Sequence, residues 1–436
     1  MSAPAPSQRV FGFWTCLALV VGNMIGSGVY LIPGTLAPFG WNGVFGWLVT
    51  IAGALCLAAV LGVLARSFPE AGGPYAYARE AFGPFAGFAI AWSYWVSLWV
   101  GNVAVATGVV APLTALCPAL TPWSVPLTAA LVWVLTGVNM WGYGATGRVQ
   151  LVTTALKFLP LLAVVAVAAG ILWRGGASAL PPLRAQDLHL TGGTGISAAA
   201  AVALWTFLGL ESATIPAERV ADPRRTIARA TLAGTALTGL LYLFACSSVS
   251  LLLPPEQAAR SGAPLADFVA RAWGPGAGTA IALFAAVTAF GALNGWILLQ
   301  GEMPWAMAKD GVLPAWLARL SPRGTPVRAH LLSSGLLTAV LAVNAARSLE
   351  SLFKFLILLA TTASLVPYLV CALAALRLRG RIEAGPALAI VAILAAFYSL
   401  WAIAGAGLEA IGWGAALLAS GIPVYLAMRR SRERRL

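Results

Sequence analysis

Long apolar stretches, separated by short charged or proline- and glycine-rich segments, run through this chain of 436 residues. A helix that crosses a bilayer needs about 20 apolar residues. Only 9% of the residues are charged, whereas a soluble domain has about 25%. The pattern predicts an all-α integral membrane protein with 12 transmembrane helices and no large domain outside the bilayer.

The predicted helices form one transmembrane domain that covers 1–428, followed by a short basic tail, 429–436. We take the first apolar stretch as a retained helix, because it carries no clear signal-peptidase site. The predicted spans lie near 11–37, 41–65, 85–112, 122–143, 149–173, 194–216, 228–253, 273–301, 330–346, 351–376, 385–404 and 407–428.

The basic residues outside these spans predict the orientation. With the N-terminus in the cytoplasm, 20 of the 27 Lys and Arg residues fall in inner segments and six in outer ones. Cytoplasmic loops are rich in Lys and Arg, so both termini are expected to be cytoplasmic. The excess of basic residues is then explained by orientation in the membrane and not by binding of nucleic acid. The five cysteines show no paired or metal-ligand spacing, so we expect neither a disulfide framework nor a zinc site. No metal or cofactor is predicted.

Two of the predicted helices are interrupted at matching positions. Glycines break the first span at 22–28 and the sixth span at 208–212. Matched breaks in two five-helix units are typical of inverted-repeat transporters with a binding site near the midplane. Repeat one then covers about 11–173 and repeat two about 194–376, with 385–428 as additional helices. The same glycines also fit simple close packing of helices.

The two breaks predict a receptor for an α-amino acid. Unwinding at Gly26, Ser27 and Gly28 exposes backbone N–H groups at the positive end of a half-helix, which suits a carboxylate. The unwound carbonyl groups are free acceptors for an ammonium group. Trp205 and Trp296 lie at or near the breaks, and an indole face can hold a cationic side chain.

Two ionisable residues lie inside predicted spans, Lys157 in the fifth and Glu211 in the sixth. Such residues are costly in a bilayer and often mark a transport pathway, although they can also be satisfied polar groups within the bundle. His189 and His330 lie near loop or span ends and are interpreted as interfacial residues. No motif pairs a nucleophile with a base, so the sequence does not predict an enzyme.

At these residues the chain resembles the amino acid, polyamine and organocation transporters, and among them the basic amino acid/polyamine antiporters that exchange arginine for agmatine. The resemblance is carried by 21–29, Tyr94 with 99–102, 204–212, 295–296 followed by 309–311, and 365–368. It implies a LeuT-like fold with a five-plus-five inverted repeat and broken helices 1 and 6. It also implies alternating access without ATP, and it allows a homodimer.

The resemblance also implies a substrate site, formed by Met24, Ser27, Gly28, Ser97, Asn102, Trp205, Leu208, Trp296 and Ala360. The carboxylate would contact Ser27 and Gly28, and Trp296 would stack on the side chain of the substrate. The α-amino group would contact backbone carbonyls at Met24, Trp205 and Leu208. Ala360 stands where the arginine antiporter has a serine, which removes a hydroxyl near the guanidinium.

Gating roles follow from the same resemblance. Trp205 would be the outer gate, and Tyr94, Glu211 and Tyr368 the inner gate, with Glu211 sensing pH or a cationic substrate. Lys157 is similar to the fifth-span lysine of sodium-independent L-type exchangers and proton-coupled relatives, in which an ammonium group takes the place of a sodium ion. Two alternatives remain for Lys157: it exchanges a proton during transport, or it stays charged throughout.

The sequence therefore predicts a sodium-independent amino acid exchanger of the bacterial inner membrane, with small-molecule substrates and the lipid bilayer as partners. A cationic amino acid exchanged for its decarboxylated amine, in the manner of arginine and agmatine, is the leading hypothesis. The alternative is a neutral amino acid exchanger or a proton-coupled symporter that uses Lys157. A membrane sensor or an accessory subunit that binds an amino acid is a third hypothesis.

Overall fold

The structure, a computed structural model, describes residues 9–343, 349–382, 385–405 and 408–433, without the side chains of 27, 115, 177, 349–362, 410 and 431–433. Within these ranges the chain is helical, and its extended pairing is limited to one parallel bridge between Phe11 and Val220. The α-helices are α1 (Phe13–Met24), α2 (Ile32–Leu36), α3 (Trp41–Ser67), α4 (Pro74–Phe82), α5 (Pro84–Leu116), α6 (Ser124–Trp141), α7 (Tyr143–Gly175), α8 (Ile196–Leu204), α9 (Pro223–Leu252), α10 (Pro255–Arg260), α11 (Pro264–Trp273), α12 (Pro275–Lys309), α13 (Val327–Val343), α14 (Leu349–Arg377), α15 (Ala387–Gly405), α16 (Leu408–Ser420) and α17 (Ile422–Glu433).

Eight helices of the described chain are long and apolar enough to cross a membrane, and four shorter apolar helices have 10–17 residues. A helix lies at each of the twelve predicted positions. The all-α membrane fold is confirmed. The number of crossings, the inverted repeat and the location of the termini remain predictions, because a helix by itself does not reveal which way it crosses a bilayer.

Proline and glycine set several helix boundaries. Pro84, Pro223 and Pro275 each occupy the first turn of a helix, where the missing N–H would have no intrahelical partner anyway. Gly83 separates α4 from α5 with φ of 93°, a backbone conformation that favours glycine. The long helices α5 and α12 therefore each begin with a glycine followed by a proline, a pair that suits the start of a helix.

Both predicted breaks are present. After α1 ends at Met24, a 3₁₀ turn covers Ser27–Tyr30 before α2 resumes. After α8 ends at Leu204, a 3₁₀ turn covers Trp205–Phe207, and the backbone continues as turns through 208–216. The second break is thus longer than predicted, and no regular α-helix follows it before α9.

Four predicted inner segments meet on one face of the molecule. Salt bridges join them: Arg79 with Asp310, Lys309 with Glu218, and Arg381 with Glu80, while Arg79 also pairs with Glu70 of its own segment. Exposed ion pairs contribute only about 0–1 kcal/mol each, so their value here is as a marker of which segments lie together. Their meeting supports the prediction that these segments share one side of the membrane.

The N-terminal segment joins the same face. The Phe11 N–H donates to the Arg219 carbonyl over 3.0 Å, and the Ala221 N–H donates to the Phe11 carbonyl over 2.9 Å. These bonds connect the beginning of the first broken helix to the end of the second break. The two broken segments are therefore tied at this face as well as at their centres.

Candidate substrate site

A cavity of about 410 Å³ lies where the two breaks meet. Seven of the nine predicted substrate residues line it, namely Met24, Gly28, Ser97, Asn102, Trp205, Leu208 and Trp296. The side chains of Ser27 and Ala360, the remaining two, lie outside the described residues. The lining also includes the polar residues Asn23, Thr206 and Ser364, which sequence reasoning did not select as site residues. Among the described lining residues none is charged.

Trp205 closes one side of the cavity against the first break. A Cβ atom placed on Gly28 would lie 2.8 Å from the Trp205 Nε1, so the indole covers the glycine backbone. Trp205 remains partly exposed. This placement is compatible with the predicted outer gate, although the gating role itself remains a proposal.

The second break approaches the first at Gly209, which has φ of 107°. A Cβ atom on Gly209 would lie 3.0 Å from the Cβ of Asn23 and 3.1 Å from the Cζ2 of Trp296. The Asn23 Nδ2 donates to the Ser212 Oγ over 2.8 Å. Only glycine meets both demands, the backbone angle and the close approach. The two breaks and α12 converge at this residue.

Glu211 lies in a hydrogen-bonded layer beside the cavity. Its carboxylate accepts hydrogen bonds from the Tyr94 and Tyr368 hydroxyls. The Tyr368 hydroxyl in turn accepts from the Gly209 N–H over 3.2 Å. All three side chains are buried, and none belongs to the cavity lining. The structure brings the predicted inner-gate residues together, and their role in gating remains a proposal.

Lys157 reaches from α7 to the end of α1. Its ammonium group donates to the Gly22 carbonyl and, over 2.8 Å, to the Ile25 carbonyl. The Tyr242 hydroxyl donates to the Met24 carbonyl over 2.8 Å. The expectation that the carbonyls at the first break are free acceptors was therefore wrong for these three. The donors come from α7 and α9, which a reading of the first span alone does not include.

A second buried charge cluster lies at the predicted inner face and was not identified from the sequence. The predicted eighth span ended at 301, whereas α12 continues to Lys309, so Glu302 is a third ionisable residue buried in a span. Its Oε2 lies 3.5 Å from the Arg219 Nε, and it accepts a hydrogen bond from the Tyr143 hydroxyl. The Arg219 guanidinium also lies 4.4 Å from the centroid of the Trp305 ring.

Arg219 remains charged in this cluster. Burial lowers the pKa of its guanidinium, and the Glu302 carboxylate raises it, so that the net shift is upward. The cluster connects the end of the second break to α12 and α7. The charged residues Arg219 and Glu302 were visible in the sequence. They are far apart along the chain, so their contact was not predicted.

His330 also departs from expectation. It lies in α13 and is fully buried, not interfacial. Its imidazole packs against Gly301 of α12, where a Cβ atom would collide with the ring. The structure assigns His330 to helix packing, away from the cavity lining.

Comparison with known proteins agrees with this architecture. The family model for amino acid permeases matches residues 11–421. The cadaverine/lysine antiporter of Escherichia coli (strain K12) is 32% identical over 384 residues, which cover 86% of this chain and 85% of that protein. The putative arginine/ornithine antiporter of Bacillus subtilis (strain 168) is 32% identical over 435 residues, 91% of each chain. The putrescine transporter PotE of Escherichia coli (strain K12) is 28% identical over 416 residues, 93% of each chain.

Proposed function

Because the chain belongs to the amino acid permease family, we propose that it is a sodium-independent antiporter that exchanges a cationic amino acid for its decarboxylated amine. The family makes it a multi-pass membrane transport protein and not an enzyme. We place it in the bacterial inner membrane. Each substrate pair would consist of a cationic amino acid and the amine formed by its decarboxylation, such as arginine with agmatine or lysine with cadaverine.

The observation that carries the proposal is the cavity of about 410 Å³ at the two helix breaks. Small-molecule sites are usually apolar cavities of about 300–1,000 Å³ with a few convergent polar groups. Backbone N–H groups after the first break suit a carboxylate, and the Trp296 face suits a cation. The names of the relatives, which refer to lysine, arginine, ornithine, cadaverine and putrescine, point to the same class of substrate.

Lys157 supports sodium independence. Two carbonyls at the first break would be natural ligands for a metal cation, since unwound carbonyls coordinate sodium in transporters of this architecture. Here the ammonium group of Lys157 donates to both. A cation is thus already present at this position as part of the chain.

The alternative function is exchange of neutral amino acids or proton-coupled symport. It is favoured by one observation, that no acidic side chain is among the described residues of the cavity lining. A cationic substrate would then lack a direct counter-charge. In this case Lys157 would carry the coupled proton.

Counterflow into proteoliposomes tests the proposal. Uptake of labelled arginine, lysine and alanine is measured in sodium-free buffer, with vesicles that contain nothing, agmatine, cadaverine, arginine or alanine, with and without a pH gradient. We expect uptake only against an internal cationic amino acid or amine. Uptake of alanine alone, driven by internal alanine or by the pH gradient, would favour the alternative. Absence of all uptake despite binding would favour a sensor or accessory subunit.

A further inference from the structure

A buried chain of hydrogen bonds leads away from the cavity at Asn102. This residue lies on α5, lines the cavity and is 2% exposed. Its Nδ2 donates to the Oε1 of Gln300 over 2.8 Å. Gln300 is fully buried on α12, one turn beyond Trp296, and is not part of the cavity lining.

The chain continues from Gln300 into α13 and α6. The Gln300 Nε2 lies 3.0 Å from the Ser334 Oγ, which lies 2.7 Å from the Thr136 Oγ1. The Thr136 hydroxyl donates to the Val132 carbonyl over 2.7 Å. All the side chains of this series are buried. The series ends at a backbone carbonyl, which is a pure acceptor.

Counting protons along the chain fixes the direction of every bond. Thr136 has one hydroxyl proton, which the Val132 carbonyl receives, so Ser334 must donate to Thr136. Ser334 then has no proton left and must accept from an amide N–H of Gln300. An amide is oriented by its hydrogen-bond partners, so the oxygen of Gln300 turns towards Asn102. Asn102 must therefore donate through Nδ2, and its carbonyl oxygen Oδ1 is the half of the amide left for a ligand.

We propose that Gln300 is a specificity-determining positioning residue, which holds the Asn102 amide with its oxygen available to the cavity. The cavity then selects substrates whose side chain ends in a hydrogen-bond donor, such as an amine or a guanidinium group. This inference deepens the proposed function and rests on it. It also supplies what the lining lacks, since a fixed acceptor in the cavity that Trp296 also lines recognises a cationic end group without a charged partner.

The acceptor is neutral, which suits an exchanger. A buried carboxylate would hold a cation more strongly, whereas a neutral amide oxygen contributes a charge-assisted bond only from the substrate side. A site that must release its ligand on both sides of the membrane works best with moderate affinity. This series of neutral hydrogen-bonding groups therefore orients the Asn102 oxygen without placing a charge at the site.

Competition against labelled lysine counterflow tests the inference. Norleucine has the chain length of lysine with a methyl group in place of the ammonium group, so the ratio of the two inhibition constants measures selection for a donor. Gln300→Met removes both bonds of the amide at similar length. We expect this ratio to fall about tenfold, since one bond to a charged group is lost.

Ser333→Ala is the matched control. Ser333 is buried in the same layer and donates to the backbone carbonyl of Gln300 over 2.8 Å, so its loss perturbs packing without touching the relay of amides and hydroxyls. We expect the ratio to stay at the wild-type value. Thr136→Val, an isosteric change at the far end of the relay, should lower the ratio in the same direction as Gln300→Met. It provides a second test if Gln300→Met does not fold.

Two results would overturn the inference. In the first, folded Gln300→Met or Thr136→Val keeps the wild-type ratio. In the second, Gln300→Met weakens lysine and norleucine equally, which indicates packing alone. Failure of the proposed function is distinguishable, because the wild-type protein would then show no lysine counterflow or no preference over norleucine, whatever residue occupies position 300.

Discussion

Replacing Gly209 with alanine should damage both the stability of the protein and its substrate site. The backbone at Gly209 has φ of 107°, and holding an L-residue in such a region costs about 1–3 kcal/mol. The added Cβ would also lie 3.0 Å from Asn23 and 3.1 Å from Trp296. Overpacking of this kind costs about 1–3 kcal/mol. Together the two effects lower the free energy of unfolding by about 2–6 kcal/mol.

That loss is a large part of the stability of a typical folded protein, about 5–15 kcal/mol. It should be visible as a lower apparent melting temperature in detergent, followed by tryptophan fluorescence. Trp296 would be displaced from its position at the cavity, so we also expect a higher KM in counterflow for the fraction that folds.

Gly137→Ala is the control for Gly209→Ala. Gly137 lies inside α6, and an added Cβ atom there would have no neighbour within 4 Å. Alanine at such a site favours a helix by about 1 kcal/mol. We expect this variant to melt at or above the wild-type temperature with unchanged transport. If Gly209→Ala behaves in the same way as Gly137→Ala in both assays, the convergence of the two breaks at Gly209 is not as tight as described.

Three further substitutions test the charged groups. Glu211→Gln should flatten the pH profile of cationic substrate exchange while leaving folding intact, because it removes the titratable group between two tyrosines; an unaltered profile would exclude Glu211 from coupling. Lys157→Ala should raise KM in sodium-free buffer or abolish proton dependence, since two buried carbonyls lose their donor; wild-type kinetics in both respects would leave the lysine a packing role. Glu302→Leu should lower the free energy of unfolding by about 3–5 kcal/mol, whereas the double variant Arg219→Met/Glu302→Leu should recover most of it; equal melting of the single and double variants would contradict the buried pair.

The positions of the helices and of both breaks could be predicted from local sequence. Apolar length marks a spanning helix, and glycine at Gly26 and Gly209 marks an interruption, because both signals are contained in a short stretch of chain. The cavity follows from the pairing of the two breaks. The contact of Tyr94, Glu211 and Tyr368 was anticipated only through the family resemblance, since nothing in one span identifies its partners in another.

The satisfied carbonyls and the second charge cluster could not be predicted in the same way. Glu302 looked like the end of a span because a charge normally stops an apolar stretch, and its partner Arg219 belongs to a distant loop. The Tyr242 hydroxyl, on α9, donates a hydrogen bond to the Met24 carbonyl on α1. Gln300 is an ordinary polar residue in the sequence, and its role depends on the proton count of a network that spans four helices.

The bond between Lys157 and the first break has a thermodynamic consequence. A dissociable ion at that position would carry its electrochemical gradient into every cycle, and net accumulation of substrate could be driven by it. In the proposed sodium-independent exchange, with Lys157 charged throughout the cycle, its ammonium group is part of α7 and has no concentration on either side of the membrane. It stabilises the broken helix and performs no work. Accumulation of one substrate must then be driven by the outward flow of another, and the steady-state ratios of the two are linked.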